Sequence, residues 1–109
     1  MNHARQLAEQ YLANVNAADL DRLAGLFADD AVVMHPAGTF QGPEAIRGFY
    51  AENVLVFHPT ITATSWLDNG DRCVFEMEGR VAGADMVQYA IDHLTAVGER
   101  IGRLAIYYR

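Results

Sequence analysis

The spacing of the apolar residues changes once along the chain, and this change is the strongest constraint on the fold. Through roughly the first fifty residues, apolar side chains recur every three or four positions, which is typical of helices that bury one face. From Thr60 onward they alternate with polar side chains, which is typical of strands. Helices followed by strands predict an α+β protein with a mostly antiparallel sheet, because α/β folds alternate the two elements.

Three helices are predicted in the first half. The first carries an apolar stripe within residues 4–15. The second begins after Asp19, a favoured N-cap residue, continues through Phe27 and ends at the Asp-Asp pair of residues 29–30. The third begins at Pro43, because proline suits the first turn of a helix. The stripes of the first and third helices consist of Ala4, Leu7, Ala8, Tyr11, Leu12 and Val15, and of Ile46, Phe49 and Tyr50.

Short strands separated by turn residues are predicted around and after these helices. Pro36 ends the first strand, and residues 38–42, which begin and end with glycine, are predicted to form a loop. The sequence Asp-Asn-Gly-Asp at residues 68–71 predicts a hairpin turn. The predicted strands run through residues 31–35, 61–67, 73–77, 86–97 and 101–108.

Composition excludes several classes of function. The 109 residues are enough for one domain, residues 1–109, and no repeat or linker divides them. The formal charge is −6, and no basic stretch offers a surface for nucleic acid. No lysine is present, and Ser65 and Cys73 are the single residues of their types, which excludes Schiff-base, serine-triad and dithiol chemistry. No apolar run is long enough to cross a membrane, so we expect a soluble, cytoplasmic protein.

One acidic residue lies where a strand would normally be apolar. Asp92 shares a strand face with Ala90 and Leu94, while His93 lies on the other face. Aspartate is unfavourable within a strand and is rarely buried without a partner. Asp92 therefore faces solvent, pairs with an arginine such as Arg103, or is a desolvated acid with a raised pKa.

Several segments resemble the NTF2-like superfamily in its SnoaL-like branch. They are Asn-Ala-Ala-Asp-Leu-Asp at residues 16–21, Leu-Phe-Ala-Asp-Asp-Ala at residues 26–31, and the helix at residues 42–50. Together with Tyr11 and residues 91–94, they are most similar to bacterial ketosteroid isomerase. The resemblance covers nearly the whole chain. It implies an NTF2-like (cystatin-like) conical barrel, with three helices packed in a curved sheet around an apolar cavity, and a homodimer formed through the outer face of the sheet.

The resemblance also implies roles for individual residues. Tyr11 and Asp92 match the family's two donors to the enolate oxygen, and Tyr50 matches the tyrosine that hydrogen-bonds the first donor. His35, directly before Pro36, stands where the isomerase has its proton-transferring aspartate. Isomerisation of an unsaturated ketone needs a group that moves the proton and donors that stabilise the enolate oxygen. An imidazole is a plausible base near neutral pH, so His35 is a candidate for the first task.

The expected ligand is a small apolar ketone, steroid-like or polycyclic, held in the cavity. No cofactor is implied, and the four histidines lack the spacing of a metal site. The alternatives are a SnoaL-like cyclase or dehydratase that uses His35 as its acid or base, and a non-catalytic small-molecule binder. Trp66 and His58 are assigned no role. Ten apolar residues are expected either to line the cavity or to fill the core: Leu12, Val15, Val33, Phe49, Phe75, Met77, Leu94, Leu104, Ile106 and Tyr108.

Overall fold

The computed structural model describes residues 3–109, in which helices cover one side of a single sheet. The predicted domain of residues 1–109 includes residues 1 and 2, which lie outside the described residues. All three predicted helices are present, and a short 3-10 helix follows the third. The helices are α1 (His3–Asn16), α2 (Leu20–Gly25), α3 (Pro43–Asn53) and the 3-10 helix (Leu55–Phe57).

Six strands form a curved, unclosed sheet in the order β2-β1-β6-β5-β4-β3. Every neighbouring pair is antiparallel except β1 and β6, which are parallel. The sheet is therefore mixed, and the prediction of an α+β fold of the NTF2-like type is confirmed. The strands are β1 (Phe27–His35), β2 (Gly38–Gln41), β3 (Pro59–Asn69), β4 (Arg72–Val81), β5 (Val87–Val97) and β6 (Arg100–Tyr108).

The apolar stripe of α1 packs onto the concave face of the sheet. Its members are all buried, as their helical spacing predicts. Inward residues of β4 and β5 meet this stripe, because alternate strand residues point to one face. On β4 these are Cys73, Phe75 and Met77, as predicted. The core lies between the helices and the sheet.

The boundary between α2 and β1 differs from the prediction. The helix ends at Gly25, and β1 begins at Phe27, whose side chain enters the core. Residues 29–30 therefore lie within a strand instead of ending a helix, and both are exposed. Pairing with β6 determines this boundary: Phe27 pairs with Ile101, and the register then shifts before Val32. A tertiary contact of this kind overrides the low strand propensity of aspartate.

The segment predicted as a loop at residues 38–42 is also corrected. Residues 38–41 form β2, an edge strand that turns back on β1 through Pro36 and Ala37. An edge strand needs only one partner, and here the pairing of His35 with Gly38 starts the ladder at once. The hairpin predicted at residues 68–71 is confirmed, with Gly70 at φ +60°.

Candidate functional site

A cavity of about 110 Å³ lies at one end of the sheet, beneath the end of α3. Its walls come from the start of β3 and β5 and from the end of β4 and β6. These strand ends lie at the same end of the sheet because neighbouring strands are antiparallel. Helix α1 supplies Tyr11 to the inner end. The lining residues are Tyr11, Asn53, Val54, Phe57, Pro59, Ile61, Met77, Gly79, Val81, Gln88, Ala90, Asp92, Ile106 and Tyr108.

Asp92 points into this cavity from β5. It lies opposite Phe75 on β4 and Ile106 on β6, and only 2% of its surface is exposed. Its Oδ1 has no hydrogen-bond partner within residues 3–109. Burial raises the pKa of this carboxyl from 3.8 to about 8, because removal from water disfavours the charged form. Asp92 was expected to face solvent, to pair with an arginine or to be a desolvated acid, and this geometry agrees with the desolvated acid.

Tyr11 reaches the cavity from the buried face of α1. Its hydroxyl lies 2.9 Å from that of Tyr50, which is fully buried behind it on α3. Its ring packs edge-on against the rings of Tyr50 and Phe75. Burial, followed by the electrostatic effects of Tyr50 and Asp92, raises the pKa of Tyr11 well above its ordinary value. Tyr11 is therefore a neutral phenol that can donate a hydrogen bond.

His35 does not line the cavity, although it touches a residue that does. Its Nε2 lies 2.8 Å from the hydroxyl of Tyr108, and its Nδ1 accepts a hydrogen bond of 3.0 Å from the backbone N–H of Ala37. The ring also packs against Phe49, with 4.8 Å between ring centroids. Burial lowers the pKa of His35, so the imidazole is neutral near pH 7.

Three titratable side chains thus share the cavity: Tyr11, Asp92 and Tyr108. Burial, and then the charge of Asp92, raise the pKa of Tyr108. The carboxyl of Asp92 also raises the pKa of Tyr11, so both phenols lie within its field. The cavity can therefore present two neutral phenols and one titratable carboxyl to a ligand.

The ten apolar residues considered for the cavity wall divide between wall and core. Met77, Ile106 and Tyr108 lie on the wall. The other seven are buried away from it, because the cavity is confined to one end of the sheet while they point into the packed middle. These core residues are Leu12, Val15, Val33, Phe49, Phe75, Leu94 and Leu104.

Nine lining residues were not among the site candidates taken from the sequence. Phe57 reaches the cavity through the 3-10 helix, a turn that follows from packing and carries no periodic signal. His58 ends that turn in a left-handed conformation and is exposed, while its neighbours Phe57 and Pro59 line the cavity. Trp66 lies elsewhere, stacked on Phe75 and 3.8 Å beneath the guanidinium of Arg5. The unanticipated lining residues are Asn53, Val54, Phe57, Pro59, Ile61, Gly79, Val81, Gln88 and Ala90.

The described part of the chain offers no evident metal centre. Within residues 3–109, His, Cys, Asp and Glu side chains form no cluster of three or more. No helix in that range is long and apolar enough to cross a membrane.

The sequence matches one family model over most of its length. Residues 8–104 match the model of the SnoaL-like domain. This range includes most of α1 and of the cavity strands, and it covers Tyr11 and Asp92, whereas the end of β6 with Tyr108 lies beyond it.

Solved structures share the fold. A Sinorhizobium meliloti protein named as a polyketide cyclase superposes with a TM-score of 0.84 at 22% identity, covering 93% of both chains. A Kribbella flavida protein named as a ketosteroid isomerase gives a TM-score of 0.86 at 19% identity, covering 98% of this chain and 78% of its own. A Catenulispora acidiphila protein with a ketosteroid isomerase-like fold, in complex with trimethylamine, gives 0.79 at 25% identity, covering 94% and 84%.

Proposed function

The chain belongs to the SnoaL-like domain family, and from this premise we propose that it is a cofactor-independent enzyme that isomerises a small unsaturated ketone, in the manner of a ketosteroid isomerase. The observation that carries the proposal is the carboxyl of Asp92, buried and unpaired at Oδ1 on the cavity wall that it shares with Tyr11. The family itself includes many chemistries, so the argument depends on these side chains and not on the fold.

An unpaired buried carboxyl is costly to the fold. Leaving one polar group without a partner costs about 1–3 kcal/mol, more when it is charged. A leucine at position 92 would avoid that cost, since Phe75 and Ile106 already surround the site. A ligand in the cavity can supply the partner that Oδ1 lacks within residues 3–109, which is expected of a group that acts on the ligand.

The proposed reaction moves a proton from the α carbon of a β,γ-unsaturated ketone to its γ carbon. Tyr11 donates a hydrogen bond to the oxygen, which becomes negative in the enolate. With a pKa of about 8, Asp92 has both protonated and ionised forms available near neutral pH. The protonated form can donate to the oxygen, as the family resemblance implies, and the ionised form can move the proton.

The size of the cavity limits the substrate. Its 110 Å³ is below the roughly 300–1,000 Å³ of pockets that enclose a drug-sized ligand. One ring bearing the ketone is therefore expected inside. A steroid or other polycyclic ketone would place its remaining rings across Phe57 and Val81, which line the cavity and are 55% and 37% exposed.

Conversion of two ketones tests the proposal. 3-Cyclohexen-1-one and a Δ5-3-ketosteroid both gain absorbance when their double bond becomes conjugated. We expect wild type to convert at least one of them, and Asp92→Leu to lose the activity while remaining folded by circular dichroism. Leucine fills the site with apolar atoms, so a loss of activity in a folded variant means that the reaction needs the carboxyl. Equal rates in wild type and Asp92→Leu would overturn the proposal.

Two other functions are favoured by particular observations. A cyclase or dehydratase that uses His35 is favoured by the likeness to the S. meliloti cyclase and by the hydrogen bond from His35 to Tyr108 at the cavity. A non-catalytic binder is favoured by the likeness to the trimethylamine complex. Ligand binding without conversion of either ketone would support the binder. Water loss from a β-hydroxy ketone that depends on His35 would support the dehydratase.

We further propose that two copies of the chain associate through the outer face of the sheet, in the cytoplasm. Tyr89, Ile91 and Tyr107 are exposed apolar side chains of β5 and β6, and residue 91 pairs with residue 107. Burying them against a second copy would remove apolar surface from water. Sedimentation of wild type and Ile91→Glu tests this, and a wild-type monomer would contradict it.

A further inference from the structure

The hydroxyl of Tyr108 is held in one hydrogen-bonding direction by His35. The N–H of Ala37 donates to Nδ1 of His35, so Nδ1 carries no hydrogen and the neutral ring must carry its hydrogen on Nε2. Nε2 then donates to the hydroxyl oxygen of Tyr108 across 2.8 Å. The hydrogen of the Tyr108 hydroxyl is not used in that bond. Within residues 3–109, that hydroxyl makes no other hydrogen bond.

Tyr108 is held in position by contacts of its backbone and of its ring. Its backbone pairs with Ala90 on β5, and the N–H of Arg109 donates to the carbonyl oxygen of Tyr89 across 3.0 Å. Its ring meets the ring of His35 edge-on, with 5.2 Å between centroids. A side chain held this way needs little rearrangement to meet a ligand, which is the condition for an effective donor.

Tyr11 has the same arrangement on the opposite wall. Tyr50 lies behind it, off the cavity, and can donate to the oxygen of Tyr11 across 2.9 Å. The hydrogen of Tyr11 is then free to point into the cavity. Each cavity phenol is thus supported by a donor from behind: Tyr50 for Tyr11, and His35 for Tyr108.

We propose that Tyr108, positioned by His35, is a catalytic residue that donates its hydroxyl hydrogen to the carbonyl oxygen of the ligand alongside Tyr11. This inference rests on the proposed function. Asp92 is then the cavity group that moves the proton. Its carboxylate takes the proton from the α carbon, and the negative charge passes to the oxygen held by the two phenols. The resulting carboxylic acid returns the proton to the γ carbon. His35 acts through Tyr108 and is a positioning residue.

The test compares Tyr108→Phe with Tyr107→Phe, a matched change at the next residue, whose ring is exposed on the other face of the strand. Two quantities are measured: kcat/KM for 3-cyclohexen-1-one, and the affinity for 4-nitrophenolate, whose oxygen carries charge as an enolate does. Tyr108→Phe should lower both by about tenfold, because the hydrogen bond from its hydroxyl to the ligand oxygen is lost. Tyr107→Phe should leave both within about twofold of wild type.

The role of His35 is tested with two variants. His35→Gln retains an N–H donor and should recover most of the 4-nitrophenolate affinity, whereas His35→Leu should resemble Tyr108→Phe. If both His35 variants lose the same affinity for 4-nitrophenolate, the positioning role is refuted. A loss caused by altered structure alone would not depend on whether residue 35 carries an N–H donor. If Tyr108→Phe retains full affinity for 4-nitrophenolate, the proposal that Tyr108 donates to the ligand oxygen is refuted. If wild type converts neither 3-cyclohexen-1-one nor the Δ5-3-ketosteroid while Tyr108→Phe still loses affinity for 4-nitrophenolate, the proposed isomerase is refuted and Tyr108 is supported as the oxygen donor.

Discussion

Replacing Asp92 by asparagine removes a titrating group from the cavity and leaves a side chain of nearly the same size. The carboxyl is buried, and its pKa is raised from 3.8 to about 8 in the folded protein. In the unfolded chain it regains its ordinary pKa of about 4. The folded state therefore holds a proton between roughly pH 4 and 8 that the unfolded state has released.

The sign and size of the effect follow from this difference. Because the folded state binds more protons in this window, the free energy of unfolding falls as pH rises, and the penalty from Asp92 reaches its full size above about pH 8. Each pH unit costs about 1.4 kcal/mol, so the free energy of unfolding should fall by about 4 kcal/mol between pH 5 and 8 on account of Asp92 alone. Below about pH 4 both states are protonated, and the penalty vanishes.

Urea unfolding of wild type and Asp92→Asn between pH 5 and 8.5 measures this dependence. Subtracting the two curves removes the groups they share, including His35. The groups that face Asp92 are the phenols of Tyr11, Tyr50 and Tyr108, all with pKa values above their ordinary range, so they stay neutral throughout. The advantage of asparagine should grow with pH by the amount given above. Parallel curves would refute the reasoning, because they would mean that Asp92 is ionised in the folded state at little cost.

Three further predictions follow from the cavity and the turns. Tyr11→Phe should lower the free energy of unfolding by about 1–3 kcal/mol in urea titrations, because the hydroxyl of Tyr50 is left buried without a partner; an unchanged midpoint would argue against that bond. The isomerisation rate should rise with pH and level off above about pH 8, as Asp92 ionises beside Tyr11, Tyr50 and Tyr108; a rate that falls through the same range would instead make the protonated carboxyl the active form. Gly70→Ala should cost about 1 kcal/mol, measured as a lower melting temperature, because φ at this hairpin position is +60°.

Local patterns predict much of the fold because they are read within one element. The stripe of α1 and the alternation of β4 both place the correct residues in the core, since each depends only on the period of its own element. The strand β2 was not predicted because its four residues are too few to show an alternating pattern, and the start of β1 was not predicted because its partner is distant. Phe27 joins the sheet by pairing with Ile101, which lies more than seventy residues away. No local pattern at residue 27 contains that information.

The candidate site, like the fold, was predicted only in part from the sequence. The helical spacing and the family resemblance identify Tyr11 and Asp92 as candidate site residues, and both line the cavity. His35 was expected at the cavity as well, yet its ring faces Phe49 and Tyr108 instead. The direction of that ring depends on the N–H of Ala37 in the turn to β2, and this turn was not predicted. The position of the His35 ring thus depends on a short edge strand that the sequence pattern does not predict.

The cost of Asp92 to stability and the basicity that its proposed role requires have the same cause. Burial that raises the pKa to about 8 leaves roughly one carboxyl in ten ionised at pH 7. The same burial makes each ionised carboxylate about 10⁴ times more basic than an exposed aspartate. If about half of that basicity, on a logarithmic scale, is expressed in the transition state, proton removal by each carboxylate is roughly 100-fold faster. The gain exceeds the tenfold loss of ionised carboxylate, so proton transfer at pH 7 is faster by roughly tenfold than with an unperturbed aspartate, whereas Asp92→Asn gains stability and loses the base.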